Sequence, residues 1–503
     1  MTCVLALDQG TTGSTALVID ADGQVRARAY REFTQHFPSP GLVEHDAAEI
    51  WNVTLAVARE AVEAAGEAPA AIGITNQRET VVAWDRRTGE PLHPAIVWQD
   101  RRTAPRCREL RAELGDRWIA ERTGLVWDPY FSASKMEWLL READVGRVGV
   151  GNLAFGTIDS WLVAKLTGGR VHVTDHTNAS RTLLYNVGTR TWDTDLLELF
   201  GVPPESLPHI RRSSEIVGET DPALFGRAIP IAGIAGDQQA ALFGQGCWEP
   251  GEAKNTYGTG AFLLMVVGAS RGAAGTREGG RGEGEADHGR PQVLTTVACD
   301  ATGEPTYALE GSVFVAGAAV QWLRDGLGLI RSAAETEAMA AGLEDTGGVY
   351  FVPALVGLGA PHWEAEARGT IVGLTRGSTT AHLARAALEA MAYSTRDVAE
   401  AMAEASGVAL AELKADGGAA ANDWLMQFQA DVLGVRVIRP DVVETTGMGA
   451  AGLAGLATGV WPSGDAFLGG RRYRTFTPSQ SKSDGYVAWQ RAVRAALYWA
   501  REG

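Results

Sequence analysis

Residues 4–15, VLALDQGTTGST, constrain the fold more than any other stretch. An apolar run ends on Asp8 and is followed at once by Gly10, Thr11, Thr12, Gly13 and Ser14, which predicts a buried strand turning through a tip of small hydrogen-bond donors. The chain resumes as ALVID before Asp22-Gly23, so the tip joins two strands of a hairpin. A P-loop and a dinucleotide fingerprint each need a strand followed by a helix, and this is neither. Such a tip lets backbone N–H groups and hydroxyls approach a phosphate closely. Asp8 can face phosphate only across a cation, and with oxygen ligands alone Mg²⁺ suits that place. The same composition also makes an ordinary Gly/Thr-rich turn, so the rest of the chain has to decide.

At 503 residues the chain exceeds what one core usually supports, and two large domains are expected. Its 45 basic and 61 acidic residues leave a net charge of −16, which argues against nucleic acid or an anionic membrane as partner. An anionic substrate would then need a local cationic or N–H-lined pocket. The N-terminus shows no secretory pattern and no apolar run approaches the roughly 20 residues of a membrane span, so a cytoplasmic protein is expected. Cys3, Cys107, Cys247 and Cys299 are scattered without a CxxC pair, which suggests neither a disulfide framework nor a zinc site.

Polar groups gather at strand ends further along. Residues 43–65 have helical apolar spacing, residues 70–75 read as a strand, and NQRET (76–80) leads into a second strand at residues 81–85. Arg78 and Glu79 are either a solvated surface pair or a fork and a carboxylate converging on a small molecule with several hydroxyls. Trp98, at the end of a third strand, either floors that pocket or belongs to the core. Tyr130, just before the helix SASKMEWLLREA, either lends its hydroxyl to a ligand or staples the helix start. In residues 229–246, Asp237 and Gln238 stand where strand gives way to helix, behind Gly233 and Gly236. An acid there either caps the helix or serves as a catalytic carboxylate with Gln238 as a second polar contact.

The strand and glycine turn then recur. KNTYGTGAFLLMVV (254–267) carries Thr259 at its turn, which fits a duplicated domain whose loop faces the first across a cleft. Residues 270–290 are Gly-rich and charged without an apolar face, and predict a mobile surface tip or disorder. Small residues at Gly317 and Ala318 would admit a flat group within reach of Gln321, although core packing asks for the same residues. KADGGAAANDW (414–424) repeats strand, acid, Gly-Gly and helix start, and Gly418 with Asn422 suits a base or ribose at a helix N-terminus. The small-residue helix at 448–459 should pack tightly on a sheet.

NQRET (76–80), AIVWQDRRT (95–103), FSASKMEWL (131–139), GIAGDQQAALFG (233–244), NTYGTG (255–260), GTIVGL with HLARAALE (369–389) and DGGAAAN (416–422) occur in this order over nearly the whole chain. Together they resemble the FGGY carbohydrate kinase family, and within it the members that phosphorylate glycerol. The resemblance implies an α/β fold of two ribonuclease H-like domains of the actin and hexokinase type flanking a catalytic cleft, here residues 1–245 and 246–503. It implies MgATP and glycerol as substrates and sn-glycerol 3-phosphate as product. The polyol would meet Arg78, Glu79, Trp98, Tyr130, Asp237, Gln238 and Phe262, with Asp237 as base. The nucleotide would meet Thr11, Thr12, Gly13, Thr259, Gly317, Gln321, Gly418 and Asn422, and Asp8 with Asp237 would serve Mg²⁺. A homodimer or homotetramer follows from the family alone.

Four positions depart from the pattern. Gly13 and Thr15 stand where these kinases typically carry serine and arginine, which removes a cation near the transferred phosphate. Ala133 replaces a usual glycine. Arg227 is displaced from the place it holds in the fructose-bisphosphate loop, so that form of feedback inhibition is not expected. The competing readings are a kinase of another small polyol or ketose, a glycerol- and ATP-binding sensor with little turnover, and an actin-like switch.

Overall fold

The computed structural model describes residues 2–269, 292–442 and 444–502. The charged Gly-rich stretch at 270–290 lies outside the described residues.

In the first lobe, β1 (Cys3–Gln9), β2 (Gly13–Asp20) and β3 (Val25–Glu32) form a meander covered by α1 (Ala47–Ala65). The Asp46 carboxylate accepts from the N–H groups of Ala48 and Glu49, and the helix ends on Gly66 at φ 69°, a conformation that favours glycine. The chain continues through β4 (Ala71–Asn76) and β5 (Val82–Asp85) to α2 (Ser132–Arg141) and α3 (Ile158–Leu166). It returns through β6 (Ser214–Glu219) and β7 (Pro230–Gly236) to α4 (Asp237–Gly244). The six-stranded sheet has the order β6-β7-β4-β1-β2-β3, with β7, β4 and β1 parallel. β1 and β4 read as near-continuous apolar runs because both faces of the central strands are covered.

The second lobe repeats this frame. Its hairpin of β8 (Glu252–Tyr257) and β9 (Ala261–Gly268) is extended by β10 (Leu294–Cys299) and β11 (Pro305–Val313), and is followed by α5 (Gly317–Gln321) and α6 (Thr380–Ser406). Then come β12 (Glu412–Asp416), α7 (Asp423–Leu433), β13 (Arg436–Pro440), α8 (Thr445–Thr458) and β14 (Tyr473–Phe476). The order β10-β11-β9-β8-β12-β13-β14 matches the first sheet strand for strand, with β10 as an added edge. β8, β12 and β13 are the parallel set. The duplication read from the two glycine turns is therefore a duplication of topology.

Two of the contacts that sew the lobes together lie outside the cleft. β10 lies against the first lobe, where the Thr295 N–H donates to Gly124 O at 2.9 Å and the Gln239 side chain donates to Thr296 Oγ1 at 3.1 Å. α8, although late in the chain, packs on the first sheet and shares a core with Val4, Ala6, Leu17 and Ile19. A Cβ on Gly73 would lie 2.1 Å from Ala450 O, and one on Gly449 would lie 1.8 Å from Ala240 O, so this contact requires glycine on both sides. The small-residue helix does pack on a sheet, and the sheet belongs to the other half of the chain. Among the described residues no helix is long and apolar enough to cross a membrane.

Candidate active site

The three parallel strands of the first sheet end in register, with Gln9 beside Asn76 and Asn76 beside Gly236. Side chains just at and beyond these carboxyl ends open into the crevice where α/β sheets bind ligands. Asp8 is contributed by β1, Arg78 and Glu79 by the turn after β4, and Asp237 and Gln238 by the first residues of α4. The Arg78 Nε lies 3.2 Å from Asp237 Oδ1. Glycine at 236 makes this possible, because a Cβ there would sit 2.7 Å from the Arg78 side chain. Glu79 adopts φ 62°, and its carbonyl accepts from Ser132 Oγ at 3.0 Å. A left-handed glutamate is uncommon and is held here by the surrounding bonds. The surface-pair alternative for Arg78 and Glu79 is excluded, since both are buried.

Two residues that sequence reasoning did not place at the site complete the cluster. Glu310, on β11 of the second lobe, accepts from both ends of the Arg78 guanidinium at 2.7 and 3.2 Å. Arg181 donates to Glu79 Oε1 at 2.7 Å and to Glu310 Oε1 at 3.2 Å, while its Nη1 is buried without a hydrogen-bond partner. Burial alone would push the Glu310 carboxyl up, but Arg181 and Arg78 hold it down at about 2. Two arginines and two glutamates thus balance in a space closed to water, an arrangement stable only while all four are present. No short-range signal announces Glu310, whose neighbours read as an ordinary strand.

Aromatic walls stand beside this cluster. The Trp98 indole N–H donates to Thr11 Oγ1 at 3.0 Å, which joins the proposed polyol wall to the first glycine tip. Tyr130 meets Trp98 edge to face with centroids 5.5 Å apart, and the Arg181 guanidinium lies 5.6 Å from the Tyr130 ring. The buried Lys135 ammonium donates to Tyr130 O at 2.7 Å, and burial pulls its pKa down to about 8. The tip is braced from behind by Gln35, which donates to Thr11 O at 3.0 Å and pairs with His45 at 2.7 Å. Burial pushes the Asp8 carboxyl up to about 7, and the nearby Asp237 carboxylate adds to the rise. Two carboxylates this close gain from a cation between them. Among the described residues no group of three or more side chains could hold a metal alone, so these two fit a Mg²⁺ whose other ligands are water and substrate phosphate.

From the second lobe, Lys254 reaches Gln238 Oε1 and Thr256 Oγ1, the latter at 2.9 Å. This lysine, buried in a strand, was also missed by sequence reasoning; its strand, EAKNTY, is mostly polar, so a cation in it does not stand out. Phe262 is the direct cross-strand partner of Thr256, so it shares the face that carries Lys254. Of the nucleotide candidates, Thr259, Gly317 and Gly418 gather at the turn after β8. Gly317 N donates to Gly258 O at 3.0 Å, and Ala316 and Ala318 donate to Thr259 O at 2.8 and 3.1 Å. Gly417 at φ 86° lies against Tyr257, where a Cβ would meet the Tyr257 carbonyl at 2.4 Å, and beside it Gly418 opens onto free space. Gln321 is exposed one turn along α5, and Asn422 caps α7 by accepting from the Leu425 N–H at 2.9 Å.

Thr12 is exposed at the first tip, whereas Gly13 is buried. A Cβ on Gly13 would meet Arg31 O and the Tyr30 ring, each at 2.7 Å, so Tyr30 fills the space that a serine side chain would need. The departure at Gly13 is thus coupled to an aromatic residue on the next strand.

A repeated sheet whose two halves close on one cleft, each ending in a glycine turn, defines the class of two-lobed α/β kinases built like actin and hexokinase. The model of the FGGY family of carbohydrate kinases matches residues 3–244 with its N-terminal domain and 253–458 with its C-terminal domain. The chain belongs to this family. It is 54% identical over 505 residues to a glycerol kinase of Deinococcus radiodurans, covering 99% of this chain and 98% of that protein. It is equally 54% identical to a glycerol kinase of Trichlorobacter lovleyi, covering all of both. Among solved structures, Plasmodium falciparum glycerol kinase with ADP superposes at a TM-score of 0.91 with 33% identity, covering 99% of this chain and 98% of that one. A xylulose kinase of Rhodospirillum rubrum follows the same fold at 0.84 with 26% identity, covering 99% and 98%.

Proposed function

We propose that the chain transfers a phosphoryl group from ATP to glycerol, giving ADP and sn-glycerol 3-phosphate. The observation that carries this reading is the junction of Arg78, Glu79, Trp98, Tyr130 and Asp237 beside the glycine tip at Asp8. A fork of donors, a carboxylate acceptor and aromatic walls match a small triol, each of whose hydroxyls needs a partner. The identity to glycerol kinases over the full chain supports the same substrate, and the ADP-bound relative supports an adenine nucleotide.

Asp237 accepts the proton of the attacking hydroxyl, and Arg78 at its side fixes the carboxylate. Gln238 and Phe262 complete the polyol pocket from α4 and the second lobe. Thr11, Thr12 and Gly13 approach the transferred phosphate, while Thr259, Gly317, Gln321, Gly418 and Asn422 form the nucleotide shelf. Asp8 and Asp237 would hold Mg²⁺, which when bound would neutralise phosphate charge. Thr15 leaves no arginine at that position of the first hairpin, and Lys254, beside Gln238, is a cation of the cleft. The protein acts in the cytoplasm as a homodimer or homotetramer.

The test is ADP release from MgATP with glycerol, xylulose, ribulose or erythritol. Stimulation by glycerol above the others supports the reading. Stimulation by a ketose instead moves the substrate within the family, and tight glycerol binding without turnover leaves a sensor.

A further inference from the structure

A second cavity, of about 280 Å³, lies in the first lobe away from the strand ends that carry the cleft residues. One wall is the far end of β5 and the turn after it, from Trp84 to Gly89; the other is the C-terminal end of α3 and the loop to His172. Its lining includes Arg86, Arg87 and Lys165 and no aspartate or glutamate, in a chain whose net charge is −16. Arg86 spends its charge on two backbone carbonyls, Leu153 O at 3.1 Å and Glu205 O at 2.8 Å. Lys165 donates to one carbonyl, Gly89 O at 3.2 Å. Among the described residues neither has a carboxylate partner within salt-bridge distance. Arg87 at the rim is paired with Asp85 at 2.9 Å.

The remaining groups around the cavity do not cancel this charge. His172 bonds to Phe155 O at 2.9 Å and is kept neutral by burial and by Arg86, which bring its pKa to about 3. Asp221, behind Gly168, is engaged in capping the short helix that follows it. Two part-solvated cations without counter-charges, facing one concavity, attract an anion. The indoles of Trp84 and Trp161 back the cavity but are buried, Trp161 beneath the Lys165 ammonium at 5.1 Å, so the open surface is that of the turn and the helix end; the volume exceeds that of a bare phosphate several-fold.

We propose that this cavity is a binding site for a phosphate ester of a small sugar or polyol, with Arg86 and Lys165 on the phosphate and the carbon skeleton in the remaining volume between the turn and the helix end. The site is separate from the catalytic cleft. It rests on its own residues and stands or falls independently of which polyol the cleft accepts.

The probe is a hexose 6-phosphate titrated calorimetrically into the full chain, with inorganic phosphate and the free hexose as controls. In a parallel titration glycerol and a non-hydrolysable ATP analogue are kept saturating, so that the cleft is filled without turnover. The expected result is one site per chain that persists with the cleft filled, binds the ester more tightly than either control, and weakens on adding salt. Arg86→Gln with Lys165→Gln should weaken it at least about tenfold, the loss typical of charge-assisted contacts. Thr88→Asp gives a second route. The Thr88 hydroxyl accepts from the Glu90 N–H at 3.2 Å, a bond that aspartate can replace while placing a negative charge at the mouth. It should abolish binding with the melting temperature unchanged. Absence of binding in the unmodified chain, displacement by glycerol and the ATP analogue, or equal affinity in both variants overturns the proposal.

Discussion

The hairpins of the two lobes are the same piece of topology put to different use. In the first, Asp8 is next to last on its strand before the turn at Gly10, and in the second Thr256 holds the corresponding place before Gly258. The first lobe then spends residues 77–229 between β4 and β7, a region that supplies Arg78, Glu79, Trp98, Tyr130 and Arg181. The second spends only residues 417–435 between β12 and β13, little more than α7. The shared frame thus places a glycine turn at the cleft twice, and the long excursion surrounds one of them with the charged and aromatic groups of the candidate site. The short excursion leaves the other as an open shelf with Gly418 facing free space. What differs is the segment between equivalent strands; the strands keep their order and direction across the sheet, save that the edge strand β6 precedes its neighbour β7 in the chain while β14 follows β13.

The largest expected effect separates chemistry from binding. Asp237→Asn should lower kcat by about 10²- to 10⁴-fold with a smaller change in the KM for glycerol, read as ADP release. Asn422→Ala on the shelf should raise the KM for ATP and leave kcat near normal. If both changes moved the same parameter, the division of labour between the lobes would be wrong.

Glu310→Gln should cost about 3–5 kcal/mol of stability in urea denaturation, because it leaves Arg78 and Arg181 buried with an incomplete partner. The sign with pH follows from linkage. Glu310 holds a pKa of about 2 against an ordinary 4.5, so its contribution is complete above pH 4.5 and is lost as the pH falls towards 2. The gap in stability between the unmodified chain and the variant should close over that window.

Glycines of the two lobes should respond oppositely to a side chain. Gly13→Ser should cost about 1–3 kcal/mol, since its Cβ collides with a backbone carbonyl as well as with Tyr30. Gly418→Ser should change stability by less than about 0.5 kcal/mol and act instead on ATP affinity. Smallest is Trp98→Phe, which removes the bond to Thr11 and should raise a KM about fivefold, the equivalent of about 1 kcal/mol.

The local features of the fold were readable because they rest on local rules. Strand, glycine turn and strand recur in sequence as they do in space, and Asp237 sits at the strand-to-helix junction its neighbours predict. What sequence could not reveal depends on contacts between distant segments. Glu310 lies 232 residues from Arg78, and Arg181 lies 102 residues from Glu79. Alternation along β11 marks Glu310 as inward only once its partner strands are known. Tyr30 likewise matters through the strand pairing that lays it over Gly13.

The placement of α8 sets an order on the birth of the protein. The first sheet buries Val4, Ala6, Leu17 and Ile19 beneath a helix made of residues 445–458, so during synthesis that face stays uncovered until nearly nine-tenths of the chain has been translated. A nascent first lobe therefore presents an apolar surface to the cell for most of the time the ribosome is at work. A fragment that stops at residue 246 inherits the same bare face, and should need a chaperone or the missing helix, added as a peptide, to remain in solution.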